Sequence, residues 1–157
     1  MNTMNKERHR ARVLIPIQIA VATVCLLASD LQSADKIIGG PRGGRLLENQ
    51  APRAEFFVEK DRTVIITFYD AALKPVAPVD QVVTVIANVK GDKTTLVFEK
   101  KGDALVSKTR LPEGDGYNVV VQIKAKAEAK PQNFRFKYET GTCGECKRSE
   151  YACTCGH

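Results

Sequence analysis

Four cysteines and a histidine fall within the last fifteen residues, as Cys143-Gly-Glu-Cys146, a six-residue spacer, and Cys153-Thr-Cys155-Gly-His157. A Cys-x-x-Cys turn can point two thiolates at one ion, and Gly144 inside it eases the turn. Cys153, Cys155 and His157 alternate along the chain, so an extended backbone would place all three on one face. Five donors then compete for four tetrahedral positions, with His157 or Cys153 as the spare. The ions such a set suits are zinc and copper(I). Lys147 and Arg148 would offset part of the thiolate charge.

The same cysteines support two other chemistries. Two disulfides, pairing 143 with 153 and 146 with 155, or 143 with 155 and 146 with 153, would staple the tail into a hairpin, whereas bridging Cys153 to Cys155 is strained. A thiol redox site of the Cys-x-x-Cys kind needs a helix N-terminus to lower the thiol pKa, and no helix is predicted beside Cys143. The metal and disulfide readings both stand at this point.

The remaining Cys, His and Met residues (Cys25, His9, Met1 and Met4) all lie in the first 34 residues. There Lys6, Arg8, Arg10 and Arg12 precede an apolar stretch from Val13 to Ala28, which reads as a cleaved signal peptide over residues 1–34. A bilayer span needs about 20 apolar residues, and Pro16 and Gln18 weaken this one further. Leu26 and Gln32 spoil the small-x-small pattern before Ala28 and Ala34, so an uncleaved anchor is the alternative. In either case the cysteines are expected outside the cytoplasm, in the periplasm or otherwise exported.

The formal charge of the whole chain is +6, and the leader holds four of its bases against Glu7 and Asp30. What remains is mildly basic, with Lys90, Lys93, Lys100, Lys101, Lys124, Lys126 and Lys130 scattered among acids, which describes a solvated surface and no nucleic-acid stripe. The Gly/Pro-rich segment over residues 35–53 has no Lys-Ser or Lys-Thr after its glycines, so it is read as turns leading into a short strand at Arg45–Glu48, and not as a phosphate loop.

Residues 54–140 must supply the body. Phe56–Val58, Thr63–Tyr69, Gln81–Val89, Thr94–Glu99, Ala104–Arg110, Tyr117–Lys124 and Asn133–Tyr138 are rich in β-branched and aromatic residues, and turn signals such as Lys90-Gly91-Asp92 and Lys101-Gly102-Asp103 separate them. This pattern predicts an all-β fold, an immunoglobulin-like antiparallel β-sandwich, with a small barrel as the alternative. No Trp and no intersheet Cys are present to mark a true immunoglobulin domain. The Cys-rich tail over residues 141–157 is expected to be separable, because the last core strand ends near Tyr138 and the tail is polar. No nucleophile can be paired with a His base in the body. Asp61, Asp70, Asp80 and Glu99 fall at turns and strand ends, so a non-catalytic protein is expected.

Gly43-Gly-Arg-Leu-Leu-Glu48, Ala54-Glu-Phe-Phe-Val58, Thr67-Phe-Tyr-Asp70, Lys74-Pro-Val76 and the run from Leu96 to Leu105 resemble small exported bacterial β-sandwich proteins associated with heavy-metal efflux. The resemblance covers residues 43–123. It implies an envelope protein linked to metal handling, whose partners would be a metal ion and an envelope efflux or other membrane protein. Members of that family often carry His where this chain has Arg42, so the resemblance lends no support to a metal site inside the sandwich.

Overall fold

Alternation of apolar and polar residues sets the core face of each strand. Along Val82–Val89 the residues Val83, Val85 and Ala87 turn inward, and along Tyr117–Lys124 so do Tyr117, Val119, Val121 and Ile123. The computed structural model describes residues 36–47 and 52–156. The leader read over residues 1–34 and the donor His157 lie outside the described residues, as does Glu48 at the end of the first expected strand. Among the described residues no helix is long and apolar enough to cross a membrane.

The strands in chain order are β1 (Ile38–Gly39), β2 (Arg45–Leu46), β3 (Arg53–Val58), β4 (Val64–Tyr69), β5 (Pro75–Val76), β6 (Val82–Val89), β7 (Asp92–Lys101), β8 (Ala104–Ser107), β9 (Tyr117–Lys124) and β10 (Gln132–Tyr138). All pairings are antiparallel, in the order β1-β2-β3-β4-β8-β7-β6-β9-β10, with β5 on the end of β4. The result is one curled sheet, a half-barrel. Strand β7 makes it continuous, because Asp92–Val97 pair with β6 and Phe98–Lys101 with β8. Hairpin β6–β7 closes through Lys90 and Gly91, both at positive φ (50° and 101°), which suits the two-residue turn that follows strand twist.

Each segment expected to be a strand contains one, with Ala104–Arg110 shortened to Ala104–Ser107 and the strand from Arg45 described only to Leu46, and the all-β class holds. The short strands β1 and β5 were not expected. Each is only two residues long, too short for an alternation to register.

The separable tail is corrected. Curling brings Phe56 of β3 against Phe136 of β10, at 5.2 Å between ring centroids, so the last strand of the pairing order meets the third across an aromatic seam. The tail fills that seam. A 3-10 turn at Glu150–Ala152 presses the Tyr151 ring edge-on to Phe56 at 5.7 Å and beside Tyr138 at 5.3 Å. Tyr151 is only 4% exposed and Ala152 is 0% exposed, and both belong to the main apolar core. The Tyr151 hydroxyl accepts a hydrogen bond from the Val58 N–H at 3.2 Å, and burial pushes its pKa up to about 12. Polar composition hid this arrangement, since one aromatic and one small residue among charged neighbours suffice to close the seam.

Candidate metal centre

After β10 the chain is pinned by Asp115, whose carboxylate accepts from both the N–H and the hydroxyl of Thr140. These bonds hold the Asp115 pKa below the usual carboxylate range. Thr142 and Ser149 then pair in an antiparallel bridge, with the Cys143 N–H bonded to the Arg148 carbonyl at 2.8 Å and the Glu150 N–H to the Gly141 carbonyl at 2.8 Å. This small hairpin carries Cys143 and Cys146 at its tip. The 3-10 turn follows and delivers Cys153, whose N–H donates to the Glu150 carbonyl at 3.1 Å. Seating of Tyr151 and Ala152 in the core thus fixes where the second pair of cysteines lies relative to the first.

The four sulfurs converge within 4.8 Å of one another. Cys143 Sγ lies 3.8 Å from Cys155 Sγ, and Cys146 Sγ lies 3.7 Å from Cys153 Sγ. A tetrahedral ion with bonds of about 2.3 Å to sulfur requires sulfur–sulfur edges of about 3.8 Å, so these two opposite edges already have the length a tetrathiolate site needs. No disulfide joins these four cysteines. Cys143 and Cys153 are buried, Cys146 is partly covered and Cys155 lies at the surface.

Backbone N–H groups supply the polar surroundings. Lys147 takes φ +59°, which turns the following N–H back toward the preceding cysteine, and Gly156 takes φ +73° in the corresponding position after Cys155. The Cys146 sulfur receives the N–H groups of Thr154 and Arg148, which lower its pKa to about 6. Cys153 Sγ accepts from the Cys155 N–H at 3.4 Å. That bond pulls its pKa down, but burial and the neighbouring thiols outweigh it and raise it. Loss of water around Cys155 pushes its thiol well up, with Glu145 and the other thiols adding to the effect. Without an ion, Cys146 is therefore the first of these three thiols to ionise. An incoming cation must displace protons from the others, so binding strengthens as pH rises.

Of the residues singled out from the sequence, Cys143, Cys146, Cys153 and Cys155 come together as one cluster, and His157 lies outside the described residues. Sequence reasoning missed Tyr151 and Arg148 as the groups that anchor this cluster to the sheet. The only signal was an aromatic residue in an otherwise polar spacer. Comparison with protein-family models, with curated proteins and with solved structures gives no match.

Proposed function

We propose that this chain is an exported, non-catalytic metal-binding protein of the cell envelope, taking one thiophilic ion through Cys143, Cys146, Cys153 and Cys155. The observation that carries the reading is the convergence of four cysteine sulfurs, joined by no disulfide, with opposite edges of 3.7 and 3.8 Å. Tetrahedral four-sulfur sets suit zinc, so zinc is placed ahead of copper(I). The ion would tie the hairpin to the segment that closes the aromatic seam. The body is read as immunoglobulin-like, supported by a core shared between the two halves of the sheet. Resemblance to small efflux-associated proteins suggests a membrane partner in metal handling, and the surface position of Cys155 would let an acceptor's ligand reach the ion there first.

A second reading has its own support. The sulfur pairs 143 with 155, at 3.8 Å, and 146 with 153, at 3.7 Å, match one of the two unstrained disulfide pairings, and an oxidising compartment favours them. The chain would then be a stapled structural or interaction module.

Intact mass of the protein isolated anaerobically from the exporting cell, under native and then denaturing non-reducing conditions, separates the two. The metal reading expects loss of the leader, one bound ion and four free thiols. A mass lighter by four hydrogen atoms with no ion, together with failure of the reduced form to take one up, would establish the staple instead.

A further inference from the structure

Glu55 is fully buried, yet it sits on the outer face of β3, opposite the face that Ala54 and Phe56 turn to the core. The loop Gly39-Gly40-Pro-Arg-Gly-Gly44 covers it. The Glu55 carboxylate accepts from the Gly44 N–H at 2.8 Å, from the Arg42 N–H at 3.0 and 3.2 Å, and from the Tyr69 hydroxyl at 2.7 Å. Burial and the Glu55 charge push the Tyr69 pKa up. A side chain on Gly40 would overlap the carboxylate, and one on Gly44 would overlap the Phe56 carbonyl, so the loop can close on Glu55 only as glycine.

That closure aims one carbonyl at the cysteine hairpin. The Gly40 carbonyl accepts from the Gly43 N–H at 3.1 Å within the loop and from the Arg148 guanidinium at 3.1 Å. The same guanidinium packs on Gly39, where an added Cβ would lie 2.6 Å from Arg148 Cζ. Arg148 is also the residue whose N–H reaches the Cys146 sulfur and whose carbonyl receives the Cys143 N–H. Both cysteines of the first pair are therefore held by a residue whose side chain is fixed to the glycine loop.

We infer that Glu55, through the Gly39–Gly44 loop and Arg148, is a positioning residue for the four-cysteine site. This inference rests on the metal reading above and concerns how tightly the site holds its ion. Bonds to a carboxylate are about twice as strong as those between neutral groups, so a neutral isostere loosens the loop while filling the same space.

The test measures zinc affinity of the reduced protein by competition with a chromophoric chelator, and follows the thiolate absorption of the cobalt(II) form. Arg148→Met is expected to weaken zinc binding about tenfold, a change of about 1.4 kcal/mol, and to leave the cobalt spectrum that of a four-sulfur site. Glu55→Gln is expected to weaken binding comparably. The double variant should bind no more weakly than Arg148→Met alone, because the carboxylate acts through the arginine. Gly39→Ala, which crowds the guanidinium without touching Glu55, should reproduce the Arg148→Met effect. Should Glu55→Gln fail to fold, Arg148→Met and Gly39→Ala still decide the matter. Unchanged affinity in both, or additive losses in the double variant, would overturn the inference. If the unsubstituted reduced protein takes up no zinc, the metal reading fails instead.

Discussion

A chain ending at Thr140 is expected to unfold or aggregate, and Tyr151→Ala in the mature protein is expected to lose about 3–5 kcal/mol of stability, the range for removing a buried aromatic ring. Tyr151 bridges the seam by touching Phe56 on β3 and Tyr138 on β10. Without it the Phe56–Phe136 contact faces water on one side. Tyr151→Phe keeps the ring and gives up only the bond from the Val58 N–H, so its cost should be about 1 kcal/mol. Urea denaturation followed by circular dichroism measures all three, from a starting spectrum dominated by β-structure. A truncated chain with an unaltered midpoint would show that the tail is an appendage after all.

Zinc should produce the second large effect. Ligation draws together Cys143, Cys146, Cys153 and Cys155, and the last two follow directly on the residues that fill the seam. Metal binding and seam closure are therefore one linked equilibrium. With free zinc at about 1,000 times its Kd, linkage adds about 4 kcal/mol to stability. For a chain of this length that is an increase of upward of about 10 °C in Tm. A strong chelator should reverse the gain, and Cys143→Ser with Cys146→Ser should abolish it. The sign with pH follows from the thiols: cations replace protons on Cys153 and Cys155, whose pKa values are raised, so the gain grows as pH rises and fades in acid. A stapled protein would behave in the opposite way, with a midpoint indifferent to zinc and lowered by reductant.

The strands were legible because each carries its own periodicity. Tyr117–Lys124 alternates over eight residues and forms β9 with those bounds, and Lys90-Gly91 marks the β6–β7 hairpin by backbone preference alone. The joining of these strands into a continuous curled sheet was not legible. It depends on β7 changing partner between Val97 and Phe98, and no local feature of Asp92–Lys101 reports that change. At the site, ligand type and spacing identified the four cysteines. The supports of the site were hidden because each acts at a distance: Arg148 grips Gly40, 108 residues earlier in the chain, and Tyr151 meets Val58, 93 residues earlier. Glu55 falls just before the strand expected at Phe56–Val58, with nothing nearby in sequence to mark it as buried, and only the folded glycine loop buries it.

X-ray absorption at the zinc edge, on reduced protein given one equivalent of zinc, tests the central claim most directly. Four sulfur neighbours at about 2.3 Å are expected, with no nitrogen or oxygen in the first coordination sphere. Fewer than three sulfurs, or zinc held by oxygen and nitrogen alone, would contradict the four-cysteine site.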